Sequence, residues 1–122
     1  MKKFCLILSV LITLLFTVYV IISVPFPFVQ DWWHAEDYDP HDRFSKRHRM
    51  ADWLVMTSAL VGLRRDEVLA KLGPPPPTDK FTDYDLVYHL GYERGLISID
   101  SEWLVVSLSQ SGVVTEAKVI RD

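Results

Sequence analysis

An uninterrupted apolar run constrains this chain more than any other feature. From Phe4 to Val24, 21 residues carry no charge. At 1.5 Å per residue, a helix of that length crosses a hydrocarbon core of about 30 Å. A cleaved secretory signal has a shorter apolar stretch and ends at small residues. Here Ser23 is the only small residue near the exit, and Ile21 stands where a second is wanted. Pro25 and Pro27 stop the helix. The sequence therefore predicts an uncleaved signal-anchor over residues 1–24, with a cleaved signal as the alternative.

Charge sets the expected orientation. Lys2 and Lys3 precede the run, and the acidic stretch QDWWHAEDYDPHD follows it. The positive-inside rule then puts the N-terminus in the cytoplasm and the rest outside an inner membrane crossed once. Trp32 and Trp33 suit an interfacial aromatic belt; the alternative packs the pair on the domain. Cys5 precedes the apolar run rather than following it, so no lipobox is present. It reads as a small apolar residue of the helix, with palmitoylation as the lesser reading.

Beyond the anchor, about a hundred residues remain, enough for one small domain with a thin core. A net charge of −3 and a pI near 5.7 leave no nucleic-acid footprint. The single cysteine excludes a disulfide framework and a cysteine-based zinc site.

Residues 25–42 mix prolines, aromatics and acids without a period, and read as a tether. His34, Glu36, Asp37, Asp39, His41 and Asp42 lack the spacing of a helical metal motif, and Pro40 argues against a rigid ligand cage. The domain is expected over 43–122. A first helix is expected from an N-cap at Asp42, with Met50, Trp53, Leu54, Thr57 and Val61 on one buried face. Arg43, Lys46, Arg47 and Arg49 occupy its first turns, where cations oppose the helix dipole. They read either as a solvated face beside the acidic tether or as an interface for anionic headgroups or an acidic partner.

A second, short helix follows Gly62. Asp66 and Glu67 suit its first turn and Lys71 its last, while Val68, Leu69 and Leu72 form its buried stripe. Gly73 stands where a left-handed terminating residue is wanted, and Pro74 to Pro77 form a stiff spacer. From Asp85 the period changes to two. Leu86, Tyr88 and Leu90 alternate along one strand, Trp103 to Leu108 form a second, Ser109 to Gly112 turn, and Val113 to Ile120 form a third. Leu96 to Ile99 read as a short extra strand or an extended loop. Short connections favour an antiparallel 1-2-3 order, with Leu86, Tyr88, Leu90, Val113, Ala117 and Val119 on the covered face. The expected class is α+β: a transmembrane helix, then two helices on a three-stranded sheet.

This order of residues resembles the SmpA/OmlA family, the BamE-like envelope modules, over roughly residues 48 to 120. The matching positions are Gly62, Leu63, Glu67, Val68, Leu72, Gly73 and Pro75, then Tyr88, then Gly112 with Val113. The stretch from Ile99 to Leu104, with Trp103, also looks like what small relatives carry before their second strand. The resemblance implies an ααβββ fold outside the inner membrane and a scaffold role in outer-membrane protein assembly, without catalysis. This chain departs from the pattern in two ways. Arg64 replaces the usual Thr N-cap, which implies a less sharply defined helix start. The lipobox is missing.

The residues themselves offer little chemistry. Asp100 and Glu102 cannot both flank Ser101 on one side of a strand, and no nucleophile elbow or phosphate loop appears. Asp100, Ser101 and Glu102 read as a turn that caps its own backbone, and His89 as an ordinary strand residue. The expected function is a membrane-anchored extracytoplasmic scaffold that binds a protein partner, with no cofactor, nucleic acid or small-molecule substrate. The alternative is an immunity-like or inhibitor-like protein for one extracytoplasmic target.

Overall fold

A computed structural model describes the chain except for residues 35–38, 40, 42–44, 96 and 98. The elements run α1 (Lys2–Ser23), α2 (Gln30–Trp33), α3 (Lys46–Met56), α4 (Arg65–Leu72), β1 (Leu86–Tyr92), β2 (Ser101–Leu108) and β3 (Val114–Arg121). The class is α+β. Among the described residues the strands make one antiparallel sheet in the order β1-β2-β3. Leu96 and Ser98 lie outside the described residues, and Ile97 and Ile99 between and after them are exposed.

α1 buries none of its residues, and its apolar side chains project on every side. It is a candidate membrane span or signal. The remaining helices are short and gain their stability from packing, since helices under about 12 residues are marginal alone. Met50, Leu54, Leu60, Val68 and Leu72 meet Leu86, Tyr88, Leu90, Leu104, Val106 and Val114 in the core.

α3 keeps the expected Met50 and Leu54 but ends at Met56. Ser58 takes φ 53°, which breaks the helical register. Thr57 and Val61 are therefore exposed, and Leu60 enters the core in their place. The expected N-cap Asp42 lies outside the described residues; Ser45 occupies the position.

In β3 the covered residue is Val114, not Val113. The register slips between Ser107 and Leu108, so no β2 residue stands opposite Thr115 and Val114 shares a face with Ala117 and Val119. Such a bulge inserts one residue and breaks strict alternation. The outer face of the sheet is not bare either. The loop after α4 folds across it, with Phe81 against Trp103 at 5.9 Å between rings and Tyr84 under the Lys118 ammonium. Val87 and Val105 are consequently buried on that side.

The segment read as a tether is folded in its first part. Phe26, Phe28 and Val29 pack on the core, and Trp33 is 1% exposed within it. Trp32 is the member of the pair that faces outward, at 42%.

Gly73 ends α4 with φ 79° as expected, but with ψ 172° rather than a left-handed value. The cause is Pro74: a residue before proline is pushed to extended ψ. Positive φ with extended ψ is a region essentially reserved for glycine. A Cβ here would also lie 2.9 Å from the His34 ring. Gly73→Ala should cost about 1–3 kcal/mol, measured by chemical denaturation; a change within experimental error would show that the backbone relaxes freely.

Candidate functional site

Three sets of side chains converge in the folded chain. The largest is a polar network under the β1–β2 connection. Glu102, on β2, is 2% exposed and His48, on α3, is fully buried. His48 Nε2 lies 2.9 Å from the Tyr92 carbonyl and 3.1 Å from a Glu102 oxygen. Both are acceptors, so this nitrogen carries a proton. Nδ1 lies 2.7 Å from Ser45 Oγ, which donates to the Leu90 carbonyl at 3.0 Å. Ser45 stands at the N-cap of α3 but makes no cap bond, because its hydroxyl is committed to β1.

Arg94 closes the network. Its Nε and Nη2 donate to the two Glu102 oxygens at 2.9 and 3.1 Å, and its two terminal nitrogens grip Asp52 on α3. Arg121, at the end of β3, reaches Glu102 at 3.4 Å. Burial opposes ionisation of Glu102, but the hydrogen bonds and charges of His48 and Arg94 outweigh it and hold the carboxyl down at about 2. Burial likewise disfavours the Arg94 charge, and Asp52 and Glu102 more than restore it. Ser45, His48 and Glu102 are the residue types of a hydrolytic triad. Their geometry does not serve that chemistry: Ser45 is 8% exposed, its proton points to Leu90, and guanidiniums fill the carboxylate. What the network does is lock α3 to all three strands.

The second set is the basic face of α3. Arg49 Nε donates to the Val24 carbonyl at 2.9 Å, and its backbone carbonyl accepts from Phe26 N–H at 3.1 Å. Arg47 Nε donates to the Trp33 carbonyl at 2.9 Å, with its guanidinium over the Trp33 ring. The Lys46 ammonium sits 4.2 Å from the Trp32 ring. Trp33 Nε1 donates to the Leu72 carbonyl at 3.0 Å, capping α4. Through these carbonyl and ring-face contacts the three cations hold the chain that leaves α1. Arg43 lies outside the described residues.

The third set joins the connector before α4 to the β2–β3 turn. Gly62 N–H donates to the Val114 carbonyl, Val114 N–H to Leu63, and Arg65 N–H to Gly112. Glu67 accepts the Arg64 backbone N–H at 3.1 Å, so the helix start is capped from within although Arg64 replaces a hydroxyl residue. Gly62, Leu63, Gly112 and Val113, far apart in sequence, therefore meet. Tyr88 donates to the Gly73 carbonyl at 2.8 Å, and burial pushes its hydroxyl up to about 12 despite Arg65 nearby. Val68 and Leu72 are core; Pro75 lines a cleft of about 210 Å³ under the proline run, smaller than the usual range for ligand pockets.

Trp103 packs between Phe81 and His89 on the outer face, not in the core, and its Nε1 has no hydrogen-bond partner among the described residues. Burial pushes the His89 imidazole below its usual value, against the pull of Asp122. Ser101 and Glu102 open β2 rather than forming the expected self-capping turn: Asp122 accepts Ser101 N–H at 2.7 Å, and Glu102 belongs to the network. Of the tether's His and acidic residues, Glu36, Asp37 and Asp42 lie outside the described residues. His34 contacts the Lys71 carbonyl and His41 packs on Tyr92.

No protein-family model, characterised protein or solved structure matches the chain.

Proposed function

We propose that this protein is a single-pass membrane-anchored binding module, with its N-terminus cytoplasmic and its α+β domain displayed outside the inner membrane as an envelope scaffold of the SmpA/OmlA, BamE-like kind. The observation that carries the reading is the junction: α1 buries none of its apolar residues, and within three residues of its end the chain is stitched to α3 through Val24, Phe26 and Arg49. A domain fixed this way presents a constant face to partners rather than swinging on a leash.

The partner is proposed to pair with β3. Among the described residues β3 pairs with β2 along its length and with Arg64 only beside its start. An open edge offers unpaired N–H and C=O groups to an added strand. Asp122 N–H points to Ser101, so the alternation directs the Ala117 and Val119 N–H groups to the open side. The test is in-membrane crosslinking followed by identification of the captured proteins. Envelope-assembly components should be recovered, and Ala117→Pro should abolish their capture while thermal unfolding stays cooperative. Capture unaffected by the proline sinks the edge model, and one tight soluble partner would favour the inhibitor-like reading.

A further inference from the structure

We infer that Trp32, Lys46 and Arg49 form a collar that binds the phosphate groups of anionic lipids in the leaflet where α1 leaves the bilayer. The inference rests on the reading that α1 is retained as a membrane span.

Its first support is height. The 22 residues of α1 give a helix of about 33 Å, matching a hydrocarbon core of about 30 Å. The residue after the helix, Val24, is then at the hydrocarbon boundary. Headgroup layers add only several ångströms on each side. Arg49 is fixed in that layer, because its Nε is bonded to the Val24 carbonyl. Trp32 is brought to the same place by α2, which turns the chain back so that the Trp32 ring stacks on Phe26 at 5.0 Å. Lys46 completes the group over Trp32.

The second support is unspent charge. Arg49 meets a carbonyl and the Phe26 ring, and Lys46 meets the Trp32 ring. Among the described residues no carboxylate pairs with either, whereas Arg64, Arg94 and Arg121 are all paired. Carbonyl and ring contacts orient a cation but leave its full charge to attract an anion. Lys46 is exposed and Trp32 is 42% exposed. An exposed indole flanked by lysine and arginine at a helix exit is the composition that suits a headgroup layer. An acidic protein surface would also meet the charge, but it would not require the group to lie level with the helix end.

The test uses the full chain in vesicles of phosphatidylcholine carrying a trace of spin-labelled phosphatidylglycerol or spin-labelled phosphatidylcholine. Flotation reports the anchor. The fraction of each label immobilised by the protein reports lipid preference. Phosphatidylglycerol should be preferred, and Lys46→Gln should reduce the preference by up to about fivefold at low salt, the gain expected for one cation at an anionic surface. Lys46→Arg should preserve it, and Lys46→Glu should reduce it further. Lys2 and Lys3 supply a baseline at the other leaflet that none of these changes touches. If the chain floats but the preference is the same in Lys46→Gln and Lys46→Glu, the collar is overturned while the anchor stands. If the chain does not float, the membrane reading fails and the collar with it. Loss of crosslinking to an acidic protein in Lys46→Glu, with lipid preference unchanged, would also overturn it.

Discussion

Glu102→Gln should lower the stability of the domain at neutral pH by about 3–5 kcal/mol, the usual consequence of removing one partner from a buried ion pair. That is a large share of the 5–15 kcal/mol that holds a typical domain together. Glu102 serves His48, Arg94 and Arg121 at once, and among the described residues only Asp52 would remain as a carboxylate facing the Arg94 guanidinium. The glutamine NH₂ would also point a donor at donors. The same group gives the protein an acid limit. Its carboxyl titrates at 4.5 when unperturbed and at about 2 in the folded state. A depressed folded value means that the contribution is complete above pH 4.5 and is lost as pH falls through about 2. Urea denaturation of the full chain in detergent micelles, at a series of pH values, checks both claims. The wild type should lose stability across that acid window. The glutamine variant should lack this group's share of the loss, and the two proteins should converge near pH 2. A variant as stable as wild type at pH 7 would show that the network contributes nothing net.

The sheet and α4 were legible because local chemistry and tertiary packing agree there. Period-two alternation marks β1 to β3, and an acidic first turn with a Gly-Pro stop marks α4. Gly73 shows how far such reading reaches: its positive φ follows from its position, and its extended ψ follows from Pro74. The network was not legible. Its members are residues 45, 48, 52, 94, 102 and 121, each unremarkable in its own segment and joined only by the fold. A glutamate just before an apolar strand run reads as an outward turn residue, and nothing local says that Arg94 will come back to it. The basic face of α3 was visible as a pattern, but its contacts were not, since carbonyl acceptors leave no mark in a sequence. The bulge at Thr115 is hidden for a similar reason: alternation is a local signal, and one inserted residue merely looks like noise.

Trp33 offers the sharpest test of the least legible feature, the docking of residues 26–33. Trp33→Ala should cost about 3–5 kcal/mol, as large aromatic truncations in cores do. The side chain is 1% exposed and lies edge-on to Tyr88 at 6.1 Å and beside Phe28 at 5.9 Å. Its Nε1 supplies the donor for the Leu72 carbonyl, one of the acceptors left over at the end of α4. Trp33→Phe should therefore recover much of the packing but not that bond, and fall between the two. Trp32→Ala removes a half-exposed ring with its stacking on Phe26 and one cation–π contact, together worth about 1–2 kcal/mol. The two tryptophans are adjacent, so the comparison separates a folded clamp from a free tether within one dipeptide. Limited proteolysis supplies the second readout. With Trp33 removed, the chain between α1 and α3 should be cut under conditions that leave the sheet intact, and α1 would then no longer be rigidly joined to the domain. Equal stability losses in Trp32→Ala and Trp33→Ala, with no new cleavage before α3, would mean that the segment does not hold the domain to its helix.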